Sequence, residues 1–314
     1  MIDRISTASA YQSVLNNLLS AEVNQTDAGD QLSSSETASD LQGYGDQAET
    51  LTAMQAANTK VTGYLNNTTD VANQLSTQNS ALTEVEDGAS SAVSAITSAL
   101  GSGNGSALMQ SLEDAFSSAA EGLNTTYNGN YLFAGGQVNT QPFTATSMAQ
   151  LASGPALSSF FQNDQLQTTS QVNQNTTLPT GFLASSVGTP LMTAFQAIQS
   201  YVNTNGPFSS PLTTAQTTFL TTELGNFQTA ETGLTNTVAQ NGLLQGEVTD
   251  AQNDLNSQQT MLQNLIGNIT SANVAQASAD LQQAQLSVEA AGQVFQSLNA
   301  TTLLSTLTSS AGIA

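Results

Sequence analysis

Residues 54–99 read MQAANTKVTGYLNNTTDVANQLSTQNSALTEVEDGASSAVSAITSA, and their spacing indicates the architecture of the chain. Apolar or small side chains recur in it at alternating steps of three and four, the spacing that lines one side of an α-helix. These positions are Met54, Ala57, Val61, Tyr64, Thr68, Val71, Leu75, Gln78, Leu82, Val85, Ala89, Ala92, Ile96 and Ala99. One long helix with a heptad seam is predicted. The GSGNGS of 101–106 predicts its end, and a return helix from Leu108 completes a helical hairpin.

Both ends of the chain carry the same spacing. The N-terminal seam is Tyr11, Val14, Leu18, Ala21, Gln25, Ala28 and Leu32. The C-terminal seam is Val274, Ala277, Leu281, Ala284, Val288, Ala291, Phe295 and Leu298. It begins after TSAN at 270–273, where the heptad phase changes, and a polar stretch at 33–46 is the matching joint in the first arm. We expect the two terminal segments to pair and the inner segments to form a bundle.

All six prolines lie between residues 142 and 211, so the irregular part of the chain is central. Short β-branched and aromatic runs predict a β-rich insert at 138–186, and Pro190 is expected to open a short helix before a long return helix from about 212. The predicted fold is mainly α, with long paired N- and C-terminal coiled-coil helices, a helical bundle and a small β-rich central insert. The predicted domains are 1–40 with 273–314, 41–137 with 187–272, and 138–186.

Charge argues against two classes of partner. Arg4 and Lys60 are the cations of the chain against 23 carboxylates, which gives a formal net charge of −21. Nucleic acids and anionic membranes are therefore not expected as partners. No run in the sequence is apolar enough to span a bilayer, and the first twenty residues lack the apolar core of a signal peptide.

Catalysis is not expected either. The chain has no His and no Cys, which removes histidine bases, thiol nucleophiles and the usual zinc ligands. Neighbouring carboxylates, such as Glu84 with Glu86 or Glu113 with Asp114, point to different sides of a helix. Acidic pairs such as Asp27 and Asp30 lack the spacing of a calcium-binding loop. We predict no catalytic residue, no cofactor and no metal site.

Two stretches carry a resemblance to a known family. NGNYLFAGG at 128–136 is followed by TQPF at 140–143, and the chain closes on ADLQQAQLSVEAAGQVFQSLNATTLLSTL at 279–307. Together with the N-terminal MIDRISTASAYQSVLNNLL, they resemble the flagellin superfamily, most closely the hook–filament junction type (hook-associated protein 3, FlgL type). The family motif covers Gly129, Asn130, Tyr131, Leu132, Phe133, Ala134 and Gly135.

The resemblance implies a structural subunit of the bacterial flagellum. It implies export through the flagellar type III apparatus without a cleaved signal, and assembly as a ring at the hook tip. The implied partners are other copies of the chain, a junction protein of the hook-associated protein 1 type, flagellin and an export chaperone. Candidate assembly residues are Tyr11, Val14, Leu18, Val274, Leu281, Val288, Phe295 and Leu298. Arg4 is expected to pair with a neighbouring subunit's carboxylate. Two alternatives stay open: a divergent filament flagellin, and a secreted coiled-coil adhesin or binding protein.

Overall fold

The computed structural model describes the backbone of residues 2–311 and the side chains of residues 9–300. Seven α-helices occupy most of that part of the chain. They are α1 (Ile2–Ser34), α2 (Ala48–Ser102), α3 (Leu108–Leu123), α4 (Met148–Ser153), α5 (Ala184–Asn205), α6 (Thr214–Thr270) and α7 (Val274–Ala311). The same part of the chain contains two 3₁₀ helices, Leu41–Gln47 and Leu157–Phe160. The prediction of a mainly α fold with long helices is confirmed.

Within residues 2–311, strand structure is limited to two antiparallel pairs of short strands and two isolated bridges. The pairs are β1 (Thr126–Tyr127) with β2 (Asn130–Tyr131), and β3 (Ser170–Gln171) with β4 (Thr177–Leu178). Only the second pair lies within the predicted insert, which otherwise holds turns and short helices. Side-chain amides add to the backbone hydrogen bonds near the isolated bridge between Phe143 and Phe161. Asn124, for example, donates to the Phe143 carbonyl and accepts from its N–H, at 2.9 and 3.0 Å.

Two compact units make up the chain: residues 1–60 with 259–314, and residues 61–258. In the first unit, α1 and α7 pack along each other in opposite directions. Their joints are hydrogen-bonded, since the Thr37 N–H donates to the Thr270 carbonyl at 2.7 Å and the Ala272 N–H donates to the Ser35 carbonyl at 2.9 Å. The predicted division into three domains stays a prediction.

The second unit contains the main hydrophobic core. It is built by α3, α5 and parts of α2 and α6, together with the insert. Phe195 is central, with ring centroids 5.6 Å from Phe116 and 4.9 Å from Phe227. Helices α2 and α3 approach closely at two glycines: a Cβ on Gly88 would lie 2.7 Å from a backbone oxygen of α3, and one on Gly122 would lie 2.8 Å from a backbone oxygen of α2.

The prediction that Pro190 opens a helix is wrong. Helix α5 begins at Ala184, and Pro190 lies inside it. Proline removes the hydrogen bond that its N–H would make to the carbonyl of Ser186. Both Pro190 and Ser186 are exposed, so water can hydrate that carbonyl and the helix continues.

Candidate assembly surfaces

The seam between α1 and α7 is made of small and medium-sized side chains. Four alanines at its centre, Ala21, Ala28, Ala277 and Ala284, are almost fully buried. The larger predicted assembly residues beside them are half-buried, and these are Tyr11, Val14, Leu18, Leu281, Val288, Phe295 and Leu298. Val274 differs, because it is the first residue of α7 and is 46% exposed. Burial of alanine yields little hydrophobic free energy, so this pair is weakly held.

One aromatic contact joins the two ends of the described chain. The Tyr11 hydroxyl donates a hydrogen bond to Asn299 Oδ1 at 2.7 Å. The Tyr11 ring also meets the Phe295 ring edge-on, with centroids 5.8 Å apart and an interplanar angle of 89°. Because an edge-to-face pair adds to the free energy of burial, this contact stabilises the helix pair near its open end.

A second apolar face remains uncovered on α1. Leu15, Leu19 and Val23, spaced four residues apart, are 44–58% exposed. This spacing places them on a side of the helix different from the seam. On α7, Leu286 and Val294 are likewise exposed, at 62% and 46%. Clustered exposed aliphatic side chains of this kind mark surfaces that other molecules cover. None of these five residues was predicted as an assembly residue, although their spacing of four and eight is visible in the sequence.

The side chain of Arg4 lies outside the residues whose side chains the structure describes. Its pairing with a neighbouring subunit therefore stays a prediction. Lys60 is exposed.

The family motif forms a tight hairpin followed by a buried segment of turns. Asn128 and Gly129 have φ values of 51° and 81°, both positive, as a two-residue type I′ turn requires. They connect β1 to β2. The next residues, Leu132, Phe133 and Ala134, are buried in the second unit.

A carboxylate fixes the end of the motif. Asp164 Oδ1 accepts hydrogen bonds from the N–H groups of Gly136 and Leu166, each at 2.9 Å. Gly135 has a φ of 69°, in the left-handed region that favours glycine. A Cβ on Gly136 would lie 2.8 Å from Asp164 Oδ2. Glycine is therefore needed at this position because no side chain fits, and not because of the backbone angle. The motif therefore anchors the polypeptide where α3 leads into the insert. Nothing in the sequence signals that Asp164, 28 residues later, is its partner.

Acidic groups in the second unit meet no compensating cation of that unit, because residues 61–258 contain no Lys, Arg or His. Burial raises the pKa of Glu84, and the nearby charges of Glu121 and Asp87 raise it further. Within the residues that the structure describes, no group of three or more carboxylates is placed to hold a metal ion. None of the helices searched in that part combines the length and the apolar character needed to cross a membrane.

Comparison with solved structures identifies proteins of similar fold. No protein-family model matches the chain, and no curated protein matches it in sequence. Two solved structures share its architecture. One is a protein assigned as a flagellar hook-associated protein from Vibrio parahaemolyticus, with a TM-score of 0.59, 13% identity, and 71% of this chain and 97% of that one covered. The other is FlgL of Bacillus cereus, with a TM-score of 0.56, 17% identity, and 68% and 99% covered.

The chain has the fold of flagellar hook-associated proteins. Almost the whole length of each neighbour finds a counterpart here, so the shared part is the complete fold of those proteins. The resemblance seen in the NGNYLFAGG motif and the terminal helices thus agrees with the three-dimensional comparison.

Proposed function

We propose that this chain is a structural subunit of the bacterial flagellum that joins the hook to the filament, and that it is not an enzyme. The observation that carries the proposal is the pairing of α1 with α7, in the fold shared with two flagellar proteins. The pair buries mainly alanine at its centre and leaves apolar side chains exposed on both helices. A helix pair of this kind gains stability when copies pack side by side, because the exposed aliphatic groups are then removed from water.

Assembly in this proposal relies on contacts between uncharged side chains. A net charge of −21 makes copies repel one another, and two cations per chain allow few salt bridges between them. The half-buried assembly residues on the seam hold α1 against α7, and these are Tyr11, Val14, Leu18, Leu281, Val288, Phe295 and Leu298. The exposed face of α1 contacts a neighbouring copy in this proposal, and it consists of Leu15, Leu19 and Val23.

The remaining parts of the proposal follow from the family resemblance. The chain is exported through the flagellar type III apparatus with the help of a chaperone and stays outside the cell on the flagellum. At the hook tip it forms a ring between a hook-associated protein 1 type junction protein and flagellin. The segment from Gly129 to Gly135 anchors the insert in each copy and takes no direct part in binding.

Immunogold labelling of the full chain on its native cells tests the proposal. A narrow band of label where hook meets filament is the expected result. Label along the whole filament would instead identify a divergent filament flagellin. Label elsewhere on the cell surface, or none on flagella, would contradict a flagellar role and favour an adhesin or binding protein.

Removal of residues 279–314 provides a second test of the same proposal. The truncated chain lacks most of α7, so α1 loses its partner and incorporation into the flagellum should stop. An autonomous binding protein whose ligand site lies in residues 61–258 would keep its activity after this truncation.

A further inference from the structure

A ribbon from the insert packs on the two longest helices of the second unit. The ribbon comprises residues 168–181 and contains β3 and β4. Its two buried aliphatic side chains, Val172 and Leu178, are 1% and 8% exposed. Together with four side chains from α2 and α6 they form an apolar cluster separate from the main core. The four are Val71, Leu75, Val248 and Ala251.

Amide side chains of α2 hold the ribbon at both ends. Asn67 Nδ2 donates to the carbonyl of Gln171, and Gln78 Nε2 donates to the carbonyl of Thr180 at 3.1 Å. The ribbon is also closed on itself, since the Gly181 N–H donates to the Thr168 carbonyl at 3.0 Å. It is therefore a hydrogen-bonded hairpin that contacts the helices through both its backbone carbonyls and its two buried side chains.

A buried polar layer separates this cluster from the main core. Gln78, Thr180 and Asn241 are almost completely buried. Gln78 Nε2 donates to Asn241 Oδ1 at 2.9 Å, and Asn241 Nδ2 donates to the Leu75 carbonyl at 2.9 Å. Among the described residues, Gln78 Oε1 has no hydrogen-bond partner, which makes the layer costly compared with an apolar pair.

The layer interrupts the apolar seam of α2. Leu75 belongs to the small cluster on one side of Gln78, while Ala81 and Leu82 belong to the main core on the other. The buried apolar side chains therefore fall into two separate clusters along α2 and α6, an arrangement that favours separate opening of each cluster. On the far side of the layer, the apolar contacts of α2 and α6 come from a few aliphatic side chains and the ribbon.

We propose that the ribbon is a brace: it holds α2 and α6 together beyond the main core, in a region that opens independently of that core. The role belongs to the insert itself and does not depend on the flagellar function. The ribbon supplies two of the six buried side chains of the cluster and caps it, so its loss should release both helix segments.

The test is hydrogen exchange of the full chain, followed by mass spectrometry, in the double variant Val172→Ser with Leu178→Ser. The matched control is Gln174→Ser with Thr177→Ser, which changes two exposed side chains of the same ribbon. We expect segments 68–78 and 241–251 to lose at least about tenfold in protection, because two buried aliphatic groups are removed. Protection of α3, in the main core, should stay unchanged, and the control should match the unaltered chain.

Several results would overturn the proposal. Unchanged protection of 68–78 and 241–251 would mean that the ribbon does not brace the helices. An equal loss in α3 would mean that the clusters open together and that the polar layer is no boundary. A comparable loss of protection in the control would mean that any substitution in the ribbon has this effect, and that the burial of Val172 and Leu178 is not its cause. Should the double variant fail to fold, Val172→Ala offers the same comparison, with a smaller loss expected in the same two segments.

Discussion

Tyr11 and Asn299, 288 positions apart in sequence, are joined by a hydrogen bond of 2.7 Å from the Tyr11 hydroxyl to Asn299 Oδ1. The bond closes the pair of terminal helices near the end opposite to their joints. At the other end, Ala272 donates to the Ser35 carbonyl. The α1–α7 pair is thus fixed by specific polar contacts at both ends and by small side chains between them.

The first prediction concerns Tyr11. Tyr11→Ala removes the hydrogen bond and the edge-on contact with Phe295, each worth about 1 kcal/mol. Because the alanine seam contributes little, exchange protection in α1 and α7 should fall. Tyr11→Phe keeps the ring contact and should give an intermediate loss. The control is Gln12→Ala, an exposed neighbour on the same helix. Equal protection in Tyr11→Ala and this control would show that the contact does not stabilise the pair.

The second prediction concerns the exposed face of α1. Leu19→Ser with Val23→Ser should move the exported chain from the flagellum into the medium, because neighbouring copies lose an apolar contact surface. The measurement is the ratio of cell-bound to free chain in an immunoblot, and we expect a drop of at least about tenfold for two lost aliphatic contacts. The control, Gln12→Ser with Asn16→Ser, alters exposed polar positions of the same helix. An unaltered ratio in the Leu19 and Val23 variant would remove this face from the assembly.

The third prediction concerns the close approach of α2 and α3. Gly88→Ala and Gly122→Ala each introduce a methyl group that meets backbone oxygen within 3 Å, so the helices must separate. We expect each to lower the free energy of unfolding by about 1–3 kcal/mol, measured by urea denaturation.

Two other helical glycines serve as controls for that prediction. A Cβ on Gly63 or Gly233 would meet no atom within 4 Å. Alanine at these positions should raise the free energy of unfolding by about 0.5–1 kcal/mol, since alanine loses less conformational entropy in a helix. Stabilisation by Gly88→Ala or Gly122→Ala would contradict the close approach.

The fourth prediction concerns pH. The pKa of Glu84 is raised in the folded chain by burial and by the charges of Glu121 and Asp87. The folded state therefore binds a proton at this group at higher pH than the unfolded state does. Glu84 thus destabilises the fold at neutral pH, and this penalty is relieved as pH falls through the raised folded pKa.

The corresponding variant is Glu84→Gln. It should increase the melting temperature at pH 7, and the increase should shrink as pH is lowered through the range in which Glu84 becomes protonated. Glu247→Gln, at an exposed position of α6, controls for the general loss of one negative charge. An increase that is independent of pH, or equal in the control, would show that Glu84 is not the source.

Heptad spacing predicted the long helices and their joints closely. The break predicted at 101–106 overlaps the connection at 103–107, between the end of α2 at Ser102 and the start of α3 at Leu108. The joint predicted at 270–273 lies between α6 and α7. These features are local, because periodicity and helix-breaking residues act within a few positions of one another.

The pairing of the terminal helices was predicted from their matching seams and is confirmed, but individual polar contacts between distant residues could not be predicted from one chain. Asp164 binds the N–H of Gly136, and Gln78 joins Asn241 and Thr180, yet each of these polar residues is common in loops or on helix surfaces. A buried Gln or Asn can also occupy a seam position without changing the heptad spacing, so the spacing does not reveal the buried polar layer. The start of α5 at Ala184 escaped for another reason, since Pro190 is tolerated inside a helix when the carbonyl it frees is hydrated.

Electron microscopy of cells that lack this chain, with the culture medium assayed for flagellin, tests whether the chain joins the hook to the filament. We predict bare hooks and flagellin shed into the medium, because filament subunits would have no junction on which to assemble. Normal flagella in a strain without a second copy of the gene would contradict a junction role. Missing filaments without shed flagellin would contradict it as well, and would identify the chain as the filament subunit itself.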